Sequence, residues 1–324
     1  MRAVRFQEHG GPEVLNVEEV DRPEPAGHDV LVEIRAAGVN PVDTYFREGA
    51  YEPNELPMTP GVDFAGVLTD VSEYVEGFEA GDRVYGTGLG RNHHGGYAEY
   101  ALAPTDRVVH LPDTVEFEAA GGAGVVAVTA WRALVDHAGL DPGETCLIHG
   151  GSGGVGHAAI QLASATGAQV LTTASPEYHD RIEALGADGV FDYAEEDLAD
   201  EVEEAAAENG SDGVDVILDH RLDEYLQFDA EVAATGARVV GIGENHPQVG
   251  FANEGVARSK DLSYTFMSMF NTPDLTVPLR RLAYLMSEGG LEIDVARTYD
   301  LDDASEAQRA VLEESHLGKL LLVP

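Results

Sequence analysis

Apolar and polar positions in the first third of the chain run in short stretches broken by Gly and Pro. Examples are Asp29-Val30-Leu31-Val32-Glu33-Ile34-Arg35 and Gly81-Asp82-Arg83-Val84-Tyr85-Gly86. Runs of this length between turn residues predict short strands and a β-rich domain. From about Glu116 the texture changes: an Ala- and Gly-rich segment fills 119–137, and beyond it short apolar runs alternate with helical patterns. That alternation predicts βαβ units on a parallel sheet. Strands are expected at 145–149, 169–173, 189–192, 214–219, 238–242 and 262–266, with helices at 155–166, 177–185, 195–208 and 223–233. Six such strands with crossovers make a full doubly wound dinucleotide-binding sheet. Two further helices, 277–289 and 303–315, and a terminal strand, 318–323, are expected to return to the first domain. The expected fold class is therefore α/β, with a β-rich domain at 1–118, a Rossmann sheet at 119–265, and a return segment at 266–324.

Length and composition fit this division, since 324 residues at 44% hydrophobic can give two domains a core each. No apolar run reaches the roughly 18 residues of a membrane-spanning helix, and Met1-Arg2-Ala3-Val4-Arg5-Phe6 lacks the apolar stretch of a secretory signal, so a cytoplasmic protein is expected. Charge changes the picture more. Against 19 Lys and Arg stand 59 Asp and Glu, a net charge of −40, which would repel nucleic acid and anionic membranes. The excess is spread along the chain, and Lys260 and Lys319 are the only lysines. This pattern resembles proteins of extreme halophiles. The lone Cys146 rules out an internal disulfide or a four-cysteine zinc lobe, and its apolar strand marks it as a small buried hydrophobe.

After the strand ending at His149 comes Gly150-Gly151-Ser152-Gly153-Gly154-Val155-Gly156 and then an apolar helical run. Gly151, Gly153 and Gly156 satisfy G-x-G-x-x-G between a strand and a helix. Glycine is needed there because the backbone must turn tightly and approach a pyrophosphate, whose charge the free N–H groups of the helix start receive. A bare glycine turn would give the same letters; the βαβ context favours cofactor binding. At the tip of the next strand, where an NAD site places an acid on the ribose 2′-hydroxyl, stand Ala174 and Ser175. These leave room for a 2′-phosphate, so NADP(H) is the expected cofactor, with Ser175, His179, Arg181 and Tyr193 as candidate phosphate partners. Gly241, Ile242 and Gly243, closing the fifth strand, are further candidate cofactor contacts.

Several motifs occur in order: Ala36-Ala37-Gly38-Val39-Asn40-Pro41-Val42-Asp43-Thr44-Tyr45, Pro60-Gly61-Val62-Asp63-Phe64-Ala65-Gly66, Gly81-Asp82-Arg83-Val84, Gly95-Gly96-Tyr97-Ala98-Glu99-Tyr100, Thr129-Ala130-Trp131-Arg132-Ala133-Leu134, and the glycine turn. Together they resemble the quinone oxidoreductase and zeta-crystallin branch of the medium-chain dehydrogenase/reductase superfamily. The resemblance implies a GroES-like catalytic domain beside the Rossmann domain, an NADPH-dependent reductase of a quinone, and a homodimer paired through the sixth strand. It also implies that Asn40, Tyr45 and Tyr51 line the acceptor pocket and that Thr129 lies near the nicotinamide. Zinc alcohol dehydrogenases of the superfamily carry Cys at or next to the place of Asn40, and Gly-His-Glu in place of Gly61-Val62-Asp63. Both ligand positions are lost, so no metal is expected. His93 and His94, adjacent in a Gly-flanked loop, read as surface residues. Without a Lewis acid, alcohol oxidation is disfavoured, while hydride transfer to an electrophilic acceptor remains feasible. An enone or enoyl reductase and a non-catalytic, cofactor-binding crystallin-like protein are the alternatives. One departure stands out: the family usually follows the fourth strand with a small glycine-rich turn, and here Asp219-His220-Arg221-Leu222 follows it. Arg221 would either obstruct the cofactor groove or add a cation to it.

Overall fold

Val30, Val32 and Ile34 are buried on the strand Asp29–Val39, the axis of the first sheet. In the computed structural model, which describes residues 1–53 and 55–324, this strand pairs antiparallel with Phe64–Val71, Tyr100–Pro104 and Lys319–Leu322. Among the described residues the sheet has seven strands, running Val295–Tyr299, Lys319–Leu322, Asp29–Val39, Phe64–Val71, Arg83–Gly86 and Val108–His110, with Tyr100–Pro104 beside the long strand. Its core includes Phe6, Val32, Phe64, Leu68, Val84, Tyr97 and Leu322, and the helix Ala304–Glu313 adds Ala307 and Ala310. The strand Lys319–Leu322 joins the tail of the chain to the sheet begun near its start.

The second sheet is parallel, with the order Gly189–Phe191, Gln169–Thr173, Thr145–Ile148, Val214–Asp219, Ala233–Gly241 and Ser263–Phe266. Numbered along the chain this is 3-2-1-4-5-6, the doubly wound dinucleotide-binding order, with its switch point between Thr145–Ile148 and Val214–Asp219. Helices Gly154–Thr166, Leu198–Glu208 and Leu222–Val232 supply the crossovers. On Leu198–Glu208 the apolar Leu198, Val202 and Ala206 are buried, while Asp200, Glu201, Glu203 and Glu204 face solvent. The acidic run is thus a solvated helix face.

Helix ends differ from the sequence reading for local reasons. The stretch expected as a helix from 177 is a 3-10 turn, Pro176–Tyr178, followed by the helix His179–Ala184. The helix expected from 195 begins at Leu198, because Asp192 accepts the Ala194 N–H at 3.0 Å and holds 192–195 in a turn. The strand Val295–Tyr299 and the helices Pro41–Glu48 and Glu254–Ser259 were not anticipated.

The chain divides into two compact units, Met1–Val128 with Thr272–Pro324, and Thr129–Asn271. The divide falls about ten residues later than the change of sequence texture at 118/119. The Ala- and Gly-rich segment is one helix, Phe117–Trp131, continued as a π-helical turn, Arg132–Ala138. Its first turns pack closely inside the first unit: a Cβ on Gly121 would lie 2.8 Å from the Ala36 methyl, and one on Gly124 would lie 2.3 Å from Asp63 Oδ1. Small residues here serve close packing rather than marking a linker.

Candidate functional site

In the second unit the glycine turn lies at the carboxyl edge of the parallel sheet. Gly150 has φ +71, a left-handed conformation that favours glycine, and its N–H donates to Thr173 Oγ1 at 3.1 Å. Gly151 N–H donates to the Thr173 carbonyl at 2.8 Å, tying the turn to the neighbouring strand. A Cβ on Gly156 would stand only 2.1 Å from the Gly150 carbonyl oxygen, so this residue must be glycine for the helix to start where it does. Gly153 caps the helix Gly154–Thr166 with extended backbone, and no side chain caps it. Ser152, Gly154 and Val155 complete the turn. The first N–H groups of such a helix lack intrahelical partners and carry the positive end of its dipole. An anion-binding cradle results.

Ser175 and Tyr193 meet beside this cradle, with Ser175 Oγ 3.1 Å from Tyr193 OH. Ala174 is buried, Glu177, two residues beyond Ser175, is exposed, and Asp192, beside Tyr193, is turned onto its own backbone. Arg181 follows within the helix His179–Ala184, and His179 bonds the Ala174 carbonyl at 3.1 Å. Across the switch point, Gly241, Ile242 and Gly243 run beside the end of the fourth strand: Ile242 N–H donates to the Asp219 carbonyl and Leu222 N–H to the Gly243 carbonyl. Gly241 leaves room for Leu222, whose Cδ1 a Cβ would approach to 2.4 Å.

Sequence reasoning missed what lies beneath this edge. His149 Nε2 and Asp229 Oδ1 are hydrogen-bonded at 2.8 Å, and the imidazole ring stacks on Tyr225 with centroids 4.3 Å apart. Burial pushes the imidazole down to about 4, so it is neutral. Asp219 and Asp229 are both buried near His149, and each carboxyl has one oxygen without a hydrogen-bond partner, an arrangement that favours the protonated acids. Burial raises Asp219 to about 7 and Asp229 to about 8. His220 lies against Gly150, whose added Cβ would be 2.6 Å from the imidazole Cε1. Arg221 is ion-paired with Glu224 one turn along, so its cation is engaged locally. Asp229 gave no signal in the sequence, because its partners lie ten and eighty residues away.

In the first unit the Asp43 side chain reaches back to the Asn40 N–H at the start of the helix Pro41–Glu48, and Pro41 opens the helix. Asn40 N–H donates to Asp43 Oδ2 at 2.9 Å, Val62 N–H to Asp43 Oδ1 at 2.9 Å, and Tyr97 OH to Asp43 Oδ2 at 3.1 Å. Asp63 accepts from Asn40 Nδ2 at 2.9 Å, Thr87 Oγ1 at 2.6 Å and Val125 N–H at 2.8 Å. Lys319 Nζ donates to Asn40 Oδ1 at 2.5 Å and to the Val39 carbonyl at 2.8 Å. Burial raises the Asp43 carboxyl to about 7 and raises Asp63 as well, while it lowers the Lys319 ammonium against the pull of both acids.

Tyr45 projects from the same helix at 36% exposure, and Tyr51, just past its end, is 50% exposed. Their rings meet edge-on with centroids 6.0 Å apart. Asn40 is placed differently from expectation: it is 1% exposed and its amide is taken up by Lys319, Asp63 and Gly38, so it anchors the helix instead of offering a polar group to an acceptor. Thr129, buried near the end of Phe117–Trp131, belongs to the second unit.

Comparison with known proteins agrees with this architecture. Residues 26–113 match the alcohol dehydrogenase GroES-like domain family, and residues 185–322 match a family described as zinc-binding dehydrogenase. The chain is 36% identical to a quinone oxidoreductase of Mus musculus, covering all of this chain and 98% of that one. Among solved structures it is similar to Escherichia coli quinone oxidoreductase complexed with NADPH, with TM-score 0.89 and 30% identity, and to an NAD-dependent alcohol dehydrogenase, with TM-score 0.92 and 31% identity; both alignments cover the whole of each chain. A GroES-like unit and a doubly wound sheet with a glycine turn define a two-unit dehydrogenase or reductase. The chain belongs to the medium-chain dehydrogenase/reductase superfamily, in its quinone oxidoreductase branch.

One of the two matching family descriptions implies zinc. Around Asn40 and Asp63 the donors are an amide, two carboxyls and the Lys319 ammonium. An ammonium is a cation with no lone pair to give, and catalytic zinc needs three protein ligands such as Cys, Cys and His. The residues do not fit zinc. Among the described residues no group of three or more His, Cys, Asp or Glu side chains could hold a metal ion, and no helix is long and apolar enough to cross a membrane.

Proposed function

We propose that the protein is an NADPH-dependent quinone oxidoreductase, delivering hydride to an already electrophilic acceptor without a metal. The observation that carries this reading is the uncapped start of Gly154–Thr166 behind its glycine turn, beside a strand tip that offers the Ser175 and Tyr193 hydroxyls where an NAD site has a carboxylate. Gly150, Gly151, Ser152, Gly153, Gly154, Val155 and Gly156 would receive the pyrophosphate. Ser175 and Tyr193, with Arg181 beyond them, would receive the 2′-phosphate, and Gly241, Ile242 and Gly243 would flank the nicotinamide half.

Bound NADPH supplies the hydride. The chain's own residues would orient the acceptor: Tyr45 and Tyr51 through their ring edges and hydroxyls, with Tyr45 as hydrogen-bond donor to the oxygen on which charge develops, while Thr129, in the second unit, would act at the nicotinamide. Asn40 acts behind the tyrosines. The donor set at Asn40, Asp63 and Lys319 supports a reaction without Lewis-acid assistance, which favours quinones over alcohols.

The net charge of −40, carried on faces such as that of Leu198–Glu208, supports a halophilic protein. The edge strand Ser263–Phe266, with Phe266 67% exposed, supports a homodimer paired there. The test is NADPH oxidation in high salt with a para-quinone, a cyclic enone, or no acceptor. Quinone-dependent oxidation that exceeds the NADH rate is expected. Enone reduction alone would convert the reading to a C=C reductase, and tight NADPH binding with no acceptor would convert it to a crystallin-like protein.

A further inference from the structure

The helix that carries Tyr45 is only eight residues long, Pro41–Glu48. Two turns of helix are not stable alone, so what anchors the helix fixes where Tyr45 and Tyr51 stand. At its far end Arg47, fully buried, donates through Nε to Gln308 Oε1 at 2.7 Å and also reaches the Gly10 carbonyl and Glu48. At its near end the anchor is Asn40, and Asn40 is itself held on both sides, by Lys319 at Oδ1 and by Asp63 at Nδ2.

Lys319 is an unusual residue in this chain. It is one of two lysines among 324 residues, it lies 3% exposed on the last strand, and it bonds to residues some 280 positions earlier. Its stem is confined, since a Cβ on Gly122 would lie 3.2 Å from Lys319 Cγ. A compact ammonium fits there and aims its donors at Val39 and Asn40, while the wider planar fork of arginine would need other partners. Burying such a charge is tolerated only when it is paired and hydrogen-bonded, and the acids facing it are Asp63 and, further along the cluster, Asp43. Without Lys319, Asn40 Oδ1 loses its donor and two buried carboxyls face each other with no cation near.

We propose that Lys319, acting with Asp63 through Asn40, is a positioning residue that pins the start of Pro41–Glu48 and so sets the two acceptor tyrosines. The inference rests on the reading of Tyr45 and Tyr51 as acceptor contacts, and one of its two readouts is independent of that reading. The experiment uses the full chain in high salt with Lys319→Met. Amide hydrogen exchange over residues 41–48 should quicken by about tenfold or more, while exchange over 154–166 stays at the wild-type rate. The KM for a para-quinone should rise about tenfold with the NADPH dissociation constant unchanged, a split that general loss of stability would not produce. Should Lys319→Met fail to fold, the double variant Lys319→Met/Asp63→Asn removes the cation together with the acid nearest it, and the same two changes are expected in it. Wild-type exchange over 41–48 in a folded variant overturns the proposal, as does a double variant that cannot fold, since the pair would then be a folding determinant. Unchanged quinone KM alongside faster exchange would overturn the link to the tyrosines. If the wild type reduces no quinone, the functional reading fails separately and exchange still decides the anchor.

Discussion

Replacing Gly153 and Gly156, three residues apart in one turn, should separate cofactor binding from folding. Gly153 has φ −68 and ψ 164, extended backbone that a β-branched residue adopts readily. A Cβ there meets only the Gly150 carbonyl oxygen, at 3.3 Å. Gly153→Val should therefore change stability by no more than about 0.5 kcal/mol, or about 2 °C in Tm. Yet the new side chain stands at the mouth of the helix N-terminus, where the pyrophosphate must come close to the backbone, and NADPH binding should be lost. At Gly156 the added Cβ would be 2.1 Å from the Gly150 oxygen, well inside the 3.4 Å at which ordinary contact begins. Gly156→Ala then forces the turn off the helix, at the roughly 1–3 kcal/mol typical of overpacking, and should lower Tm by several degrees. Thermal melting in high salt, paired with an NADPH fluorescence titration, reads both quantities. Wild-type NADPH affinity in a folded Gly153→Val protein would refute the assignment of the turn to the pyrophosphate.

Three further outcomes are expected. Asp43 and Asp219 at about 7 and Asp229 at about 8 hold protons when folded that they release when unfolded, so stability should rise as pH falls from about 8 to about 6.5; below that His149, held down at about 4, opposes the trend, and a urea midpoint that instead rises with pH across the window would refute it. Dilution from molar salt to tens of millimolar should lower Tm steeply and then unfold the chain, because carboxylates screened over about 3 Å at 1 M repel one another over about 30 Å at 0.01 M; a flat melting profile across a salt series would count against the halophilic reading. Ser175→Asp should reverse the preference for NADPH over NADH by putting a carboxylate beside Tyr193 OH, whereas equal dissociation constants for the two cofactors in the wild type would remove the basis for the assignment.

Much of the second unit was legible because its signals are local. The glycine turn sits between an apolar strand and an apolar helix within a few residues, and the strand at its side is followed by Ala174-Ser175. The helix Pro41–Glu48 also carries a local signature, Asn before it, Pro at the first position and Asp at the third. The buried clusters were not legible. Asp219, Asp229 and His149 meet because strand ends and a helix converge at the switch point, and Lys319 reaches Asn40 only once the last strand has paired with Asp29–Val39. A periodicity or a motif reports the neighbours along the chain; these pairings depend on the topology. Asn40 is the clearest case, since the family resemblance implies a pocket residue and its partners make it an anchor.

The most direct test of metal-free hydride transfer is para-quinone reduction by NADPH in high salt after exhaustive chelation, with zinc content measured on the same sample. The account predicts that the chelated protein, holding far less than one zinc per chain, keeps the rate of the untreated protein and gains nothing when zinc is added back. Loss of activity on chelation and its return with stoichiometric zinc would contradict it.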